Sequence, residues 1–447
     1  MNSLLYNQFL HGIRWNALDS IISQGLLVAH HIAVRYFLGP VFHGEFGTAF
    51  SILYSLLVIV NMGLDSSLSP IFTYISANKR AALLLSRRIF FPQLTILMFS
   101  FIILVLVAQR QVAFNFLTGP ISIIIGVTLI IESIRKSCRT FLQLALRSRL
   151  TAITEISGMI AYLIIVWSWF FAGFGMTLMS AFITLLIISS IQLIILAVGI
   201  HAWYTQLPDT TNTLPATISW RLAKSRFFVG SNQIISQLFT SNFLVPFFAV
   251  TCGLNFASFF KIISSVAQWI TLVGQKIFGI TGAAILARTK ELSLETKRAV
   301  FIAMTHKLYQ VLYILLICVI INGTTLYITQ CSVYPPQAIT IGVTMLVLSF
   351  LESFFVLFDR WYIIEERAYY LLFFTTLSCM FLYFSGSYIL LSLVIIRVIT
   401  IMLLTLFSFY YWSLRPSLKI EKESLGIALI LSLLIYIIIW QTTLTTF

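Results

Sequence analysis

The chain has 447 residues, of which 59% are hydrophobic and only 9% are charged, and its mean hydropathy is +0.98. A single soluble core cannot hide so much apolar surface, so the composition excludes an ordinary soluble protein and predicts an integral membrane protein. The formal net charge is +14. Membrane topology and attraction to anionic membrane lipid explain this charge without nucleic acid as a partner.

Apolar runs of about 20 residues recur along the chain, and this is the length of a helix that crosses the hydrocarbon core of a bilayer. The predicted fold class is therefore all-α and polytopic, with about 13 transmembrane helices. In chain order, the predicted spans are residues 15–37, 46–64, 89–108, 114–134, 152–171, 177–199, 227–250, 256–280, 308–330, 338–358, 368–384, 387–411 and 424–442.

Basic residues test this set of spans. If the amino terminus is cytoplasmic, most of the 28 Lys and Arg residues fall in inner loops, and only Arg35 and Arg110 fall at the outer ends. The positive-inside rule requires this alternation, so it supports both the spans and the orientation. The outer connections are short, which leaves no soluble domain outside the membrane.

The chain divides into two related halves. We predict an N-terminal six-helix bundle at residues 1–204, a cytoplasmic linker at 205–226, a C-terminal six-helix bundle at 227–412 and an additional helix within 413–447. The tetrapeptide IISQ at 21–24 recurs at 234–237, and Gly39 is matched by Gly253. Because six helices return the chain to the same side, the predicted internal repeat is parallel.

The stretch FLGPVFHGEFG at 37–47 interrupts two apolar runs. We expect Gly39 and Pro40 to end the first helix at the outer surface, and His43 and Glu45 to keep the turn in contact with water. Gly47 is expected to let the second helix approach its neighbours closely. The glycine spacing is similar to that of a phosphate-binding loop, but the required Lys-Ser/Thr pair is missing.

Residues 35–68 resemble the start of the polysaccharide (O-antigen type) flippases of the multidrug/oligosaccharidyl-lipid/polysaccharide (MOP) exporter superfamily, with a Leu-Gly-Pro, an acidic residue with Phe-Gly, and a Gly-Leu after the second helix. Residues 141–160, 225–248 and 255–266 are similar to the same family in the same order. One departure is that Asn242 and Phe243 stand where many members have an Asp-Arg pair.

The resemblance implies a two-bundle transporter that moves a polyprenyl-pyrophosphate-linked oligosaccharide from the inner to the outer leaflet of a prokaryotic cytoplasmic membrane by alternating access. The product would supply a cell-surface polysaccharide such as the O-antigen of lipopolysaccharide. It also implies glycosyltransferases and a polymerase of the same pathway as partners.

Cations inside predicted spans are candidates for binding the substrate. A charge at bilayer depth is costly and usually faces a cavity or a partner, and a pyrophosphate needs cations that replace its hydration. The predicted cationic substrate-binding cavity comprises Arg397, Lys261, Lys276 and Arg35. For Arg35 and Lys276, an alternative is that the side chains extend to the two membrane interfaces.

A second set of polar residues within spans is predicted to take part in ion coupling or to line the cavity: Asp19, His30, His31, Glu132, Glu352, Asn232, Gln237 and Asn242. For the carboxylates, salt bridges to Arg135 or Arg360 are an alternative. For the adjacent histidines, the alternative is a packed, hydrogen-bonded core position.

The sequence carries no soluble-enzyme motif, so we predict neither a catalytic residue, a metal site nor a cofactor. It also has no ATPase motif, so an ion gradient, the membrane potential or consumption of product must supply the energy. Two other functions remain open. One is an ion-coupled multidrug or metabolite antiporter of the same superfamily, and the other is a membrane-embedded polysaccharide polymerase or glycosyltransferase, for which the outer loops are short.

Overall fold

The structure, a computed structural model, describes residues 3–83, 87, 93–100, 102, 115–209, 217–238, 240–289, 293, 295–297, 299–308, 310–311, 353, 356–357 and 359–384. Regular structure in these residues is helical throughout, with no β-strand. Arg397, Glu352, the side chain of Lys276, the predicted twelfth and thirteenth spans, and most of the third, ninth and tenth spans lie outside the described residues.

The helices are, in chain order, α1 (Ser3–Asn61), α2 (Leu64–Ser67), α3 (Phe72–Ile75), α4 (Gly119–Leu144), α5 (Ser148–Trp169), α6 (Leu178–Tyr204), α7 (Thr217–Gln237), α8 (Ser241–Thr251), α9 (Leu254–Gly274), α10 (Thr281–Thr289) and α11 (Ala368–Phe384). Two π-helical segments, Phe170–Phe174 and Gln275–Ile280, follow α5 and α9. Residues 299–308 and 359–364 are also helical.

Helix α1 folds back on itself at Gly39, which has φ 85° and ψ 166° and precedes Pro40. His31 and His43 are twelve positions apart, yet their Nδ1 and Nε2 atoms lie 3.1 Å apart. In a straight helix the two residues would be separated by about 18 Å. The predicted turn at Gly39 and Pro40 is thereby confirmed, and α1 consists of a first arm (residues 3–38) and a second arm (residues 40–61).

The predicted seventh span, residues 227–250, lies within the helical stretch Trp220–Thr251, which is long and apolar enough to cross a membrane. Residues 227–250 belong to two helices, because α7 ends at Gln237 and α8 begins at Ser241. Helix α7 also begins at Thr217, ten residues earlier than hydropathy indicates. Hydropathy marks only the part of a helix that suits hydrocarbon, whereas backbone hydrogen bonding continues into more polar sequence. The bounds of α11 agree with the predicted eleventh span.

Helix α6 shows why this chain needs lipid around it. Its exposed side chains form an apolar stripe at a spacing of three and four residues: Ile183, Ile187, Ile191, Ile194 and Val198. Its opposite face is buried against the other helices of the N-terminal half. This face includes Phe182, which stacks on Phe50 at 4.7 Å between ring centroids. Such a stripe at helical period suits hydrocarbon and not water.

Four helical stretches of the described chain are long and apolar enough to cross a membrane: Asn7–Ile75, which includes the turn at Gly39, Ser148–Phe174, Leu178–Tyr204 and Trp220–Thr251. The protein is an all-α, multi-pass membrane protein.

The backbone repeats itself in the two halves. Gly39 and Gly253 have φ of 85° and 87° at matching turns, and Leu146 and Glu366 both have φ of 60°. The N–H of Arg147 donates to the carbonyl of Leu142 at 2.9 Å, and the N–H of Arg367 donates to the carbonyl of Tyr362 at 2.8 Å. A positive φ outside glycine is uncommon, so its recurrence in the same turn supports the parallel internal repeat.

Candidate functional site

The two halves meet near the predicted outer surface in a cluster of polar side chains. We call this group the outer cluster, and it comprises His31, Arg35, His43 and Ser51 of α1 with Ser258 and Lys261 of α9. Arg35 donates a hydrogen bond of 2.8 Å to Ser258 Oγ. His43 Nδ1 lies 2.8 Å from the same oxygen, so both arms of α1 contact α9 through Ser258.

His43 departs from the expectation that it would keep the turn wet. Its side chain is fully buried between His31 and Ser258. Because residue 43 lies one helical turn past Gly39, it already points between the two halves, and the expectation was wrong for His43. The sequence shows a polar residue beside a turn but not the direction in which the helix presents it.

Lys261 is the most deeply placed cation of the outer cluster. Its side chain is 4% exposed, and its Nζ donates a hydrogen bond of 3.1 Å to Ser51 Oγ. Gly47 makes room for it, because a Cβ at that position would lie 2.9 Å from Lys261 Cγ. This agrees with the predicted close approach at Gly47. Within the described residues, Lys261 has no carboxylate within ion-pair distance.

Among the described residues, the hydrogen-bond acceptor of this buried ammonium group is one hydroxyl, which compensates poorly for the hydration that the group lost. Arg35 adds a second positive charge to the outer cluster at Ser258 Oγ, and the histidines add neutral or cationic groups. The outer cluster is therefore suited to hold an anion at the boundary of the two halves.

Carboxylates and arginines form a second cluster inside the N-terminal half. Arg135 contacts Glu132 at 2.7 Å and also pairs with Glu155. Arg139 contacts Asp19 at 2.7 Å and Glu155 at 3.4 Å. The predicted alternative of a salt bridge between Glu132 and Arg135 is confirmed. We call these five residues the carboxylate network, and three acidic groups share two guanidinium groups in it.

The other predicted polar residues are dispersed. His30 is buried and accepts a hydrogen bond of 3.2 Å from the indole of Trp167, which places it in the core of the N-terminal half. Asn232 accepts a hydrogen bond of 2.6 Å from Thr375 within the C-terminal half. Gln237 accepts a hydrogen bond of 3.2 Å from Thr240 at the break between α7 and α8. Asn242 is partly buried in α8.

A third cluster joins the halves near the predicted cytoplasmic surface. We call it the inner cluster, and it comprises Asn61, Ser66 and Gln93 of the first half with Arg226, Gln233 and Arg360 of the second. Gly63 and Gly230 pack in contact there, since a Cβ on Gly63 would lie 2.9 Å from the Cα of Gly230. A further contact between the halves is a hydrogen bond of 2.8 Å that Asn16 donates to Thr281.

The two halves are thus in contact at both predicted membrane surfaces. Of the predicted cations, Arg35 and Lys261 both lie in the outer cluster, where Arg35 bonds to Ser258 and Lys261 bonds to Ser51. Lys276 has its backbone in the π-helical segment after α9.

Sequence reasoning missed several members of these clusters. Ser51 and Ser258 gave no signal, because small hydroxyl residues are common in membrane helices. Arg226 was counted only as an inner-loop charge, Arg360 was considered only as an inner-loop charge and a salt-bridge partner, and Glu155 was not singled out. For Arg226 the available signal was its proximity to the polar run of α7.

Comparison with solved structures finds a transporter fold. An outward-facing MATE family multidrug resistance transporter of the MOP superfamily superposes with a TM-score of 0.67 at 12% identity, covering 91% of this chain and 95% of that chain. The eukaryotic MATE transporter AtDTX14 gives 0.65 at 12% identity, with 95% and 99% covered.

A MOP superfamily transporter from Pyrococcus furiosus, described as having a binding pocket of reverse polarity that suggests a different function, gives 0.63 at 14% identity, with 91% and 95% covered. No family model and no curated protein matches the sequence. The chain therefore has the fold of MATE transporters of the MOP superfamily.

Proposed function

We propose that this protein exports a polyprenyl-pyrophosphate-linked oligosaccharide from the inner to the outer leaflet of a prokaryotic cytoplasmic membrane, for synthesis of a cell-surface polysaccharide. The observation that carries the proposal is Lys261, a buried cation at the boundary of the two halves with a hydroxyl as its partner. A pyrophosphate carries at least two negative charges, which would compensate Lys261 and Arg35 during transport.

The contacts between the halves suit alternating access. Opening the outer side requires that Ser258 separate from Arg35 and His43, and that Ser51 separate from Lys261. Each of these bonds joins polar groups that a phosphate or water can replace, so the cost of separation is moderate. We propose Lys276 and Arg397 as further cations along the same route.

The similar structures include a MOP superfamily transporter with a pocket of reverse polarity, so this fold accommodates pockets of more than one charge character. A positively charged boundary fits an anionic substrate better than a cationic drug. The similar structures are transporters, which disfavours the polymerase or glycosyltransferase. The proposal includes anionic lipid around the protein and the pathway's glycosyltransferases and polymerase as partners.

The carboxylate network favours a second candidate, an ion-coupled multidrug or metabolite antiporter. Three carboxylates, Asp19, Glu132 and Glu155, lie against two guanidinium groups, those of Arg135 and Arg139, so binding of a proton or sodium ion there would change the balance of charge in the network. The fold fits this candidate equally well. The network would also serve as the coupling site of the exporter.

Deletion of the gene in its native host separates the two candidates. The exporter proposal predicts loss of surface glycan and accumulation of a polyprenyl-linked oligosaccharide inside the cell, both restored by the wild-type gene. Lys261→Gln should fail to restore them, whereas Lys224→Gln, at an exposed position of α7, should restore them. Intact surface glycan with increased sensitivity to cationic drugs would instead support the antiporter.

A further inference from the structure

Two arginines of the inner cluster reach across the boundary from the second half to the same short segment of the first. Arg226 of α7 donates to the side-chain oxygen of Gln93 at 2.8 Å and to the carbonyl of Asn61 at 3.5 Å. Arg360 donates to Ser66 Oγ at 2.6 Å. Asn61 and Ser66 lie on either side of the turn that ends the second arm of α1, so both guanidinium groups converge on that turn.

All of these acceptors are neutral. A guanidinium group presents five N–H donors and bonds best to a carboxylate or phosphate with two parallel hydrogen bonds. In the described residues, neither arginine lies within ion-pair distance of a carboxylate. Asp359 attracts Arg360 electrostatically and Asp65 attracts both arginines, but the contact of Asp65 at 3.1 Å is with Lys136. The pair is therefore positively charged and only partly compensated.

The two halves are closed against each other here, because the backbones at Gly63 and Gly230 touch. Separation of the halves on the cytoplasmic side would break the bonds to Gln93, Asn61 and Ser66. Both guanidinium groups would then face the opening from the second half, each without its acceptors. An anion entering from the cytoplasm would meet two cations at once. Gln93, Asn61 and Ser66, which bind the arginines when the halves are closed, compete with this anion for the two guanidinium groups.

We infer that Arg226 and Arg360 form a second anion site, at the cytoplasmic side, that takes the phosphate groups of the substrate when the halves separate there. This inference rests on the proposed function and adds the entry point of the substrate. Asn61, Gln93 and Ser66 occupy the arginines when the substrate is absent, and the phosphates displace them. The ligand chemistry is a diphosphate with at least two negative charges.

Binding to the full-length protein in phosphatidylcholine nanodiscs tests the inference. The probes are inorganic pyrophosphate and farnesyl diphosphate, titrated at constant ionic strength and followed by calorimetry. The combined Arg226→Gln and Arg360→Gln variant should bind both probes about tenfold or more weakly, because each lost charged hydrogen bond costs that order of affinity. Arg221→Gln, an exposed arginine of the same helix, is the matched control and should bind as the wild type does.

Ser66→Ala distinguishes a binding site from a merely structural contact. It removes the acceptor of Arg360 and also the acceptor that Gln233 reaches at 3.3 Å, so it weakens the closed state. If the closed contacts compete with the anion, pyrophosphate affinity should rise by about fivefold, because a larger fraction of the protein is competent to bind. A purely structural role predicts unchanged or weaker binding, and that result would overturn the inference.

The outcomes also separate this inference from the proposed function. Wild-type binding by the double arginine variant, together with loss of export in Lys261→Gln, would refute the cytoplasmic site and leave the exporter in place. Intact surface glycan after gene deletion would refute the exporter whatever the binding data show. Inorganic pyrophosphate bound at least as tightly as farnesyl diphosphate would overturn the assignment to a lipid-linked ligand.

Discussion

Lys261 and Ser51 are joined by a hydrogen bond of 3.1 Å that crosses from the second half of the protein to the first. The bond places a buried ammonium group at the boundary between the two halves, which would open and close in the proposed transport cycle. Its neighbours Arg35, His31 and His43 supply no negative charge. This relationship is the reason for proposing an anionic substrate for a chain with the fold of MATE transporters of the MOP superfamily.

The first prediction concerns the conflict between stability and activity at Lys261. Lys261→Met keeps most of the side-chain volume and removes the buried charge, so the apparent Tm should equal or exceed that of the wild type. Export should fall about tenfold or more, because the anion loses a charged partner. Thermal unfolding in detergent and surface-glycan staining in complemented cells measure the two effects. A Tm well below the wild-type value would mean that Lys261 is a structural residue.

The second prediction concerns closure on the outer side. A Cβ at Gly44 would lie 2.9 Å from Leu254 Cβ, whereas a Cβ at Gly25 meets nothing within 4 Å. Gly44→Ala should therefore weaken outer closure, while Gly25→Ala should not. The readout is labelling of Ser258→Cys by a membrane-impermeant maleimide in a Cys252→Ser background. We expect labelling to be roughly tenfold faster with Gly44→Ala, since overpacking costs 1–3 kcal/mol. Equal rates for the two alanine variants would contradict the proposed closure.

The third prediction concerns the carboxylate network. Arg135→Gln leaves Glu132 and Glu155 buried without their shared guanidinium, and it should reduce stability by about 3–5 kcal/mol. Glu155→Gln should cost much less, since it removes one of three acidic groups that compete for two arginines. Denaturation in detergent compares the variants, with Lys79→Gln at an exposed ion pair as the control. The opposite order of stability would show that Glu155 stabilises the network more than Arg135 does.

The fourth prediction concerns the repeated turn at Glu366, which has φ of 60°. Glu366→Gly should raise the free energy of unfolding by about 1 kcal/mol relative to Glu366→Ala, because only glycine adopts this φ without strain. Both variants lose the same side-chain contacts, so their difference isolates the backbone. If alanine is as stable as glycine at this position, Glu366 does not adopt the left-handed conformation that matches Leu146.

The sequence predicted the parts of this structure that local chemistry determines. Gly39 followed by Pro40 cannot continue a helix, and the chain reverses there. The salt bridge between Glu132 and Arg135 follows from a spacing of three residues on one helix, which places both side chains on the same face.

Contacts between distant residues could not be predicted in this way. Ser258 meets Arg35 and His43 only because α9 packs against both arms of α1, and no local pattern specifies that packing. Arg226 and Arg360 follow the positive-inside rule like any loop cation, so the sequence does not distinguish a charge at the boundary from one in water. Their neutral acceptors identify them, and these are visible only in three dimensions.

Transport in reconstituted liposomes tests the central claim most directly. A fluorescent oligosaccharide linked to a polyprenyl diphosphate is placed in both leaflets, and its movement is followed by quenching from outside. The account predicts movement by the wild type and by Lys224→Gln, and little or none by Lys261→Gln. Equal movement by Lys261→Gln, or no movement by a wild-type protein that transports a cationic dye, would contradict it.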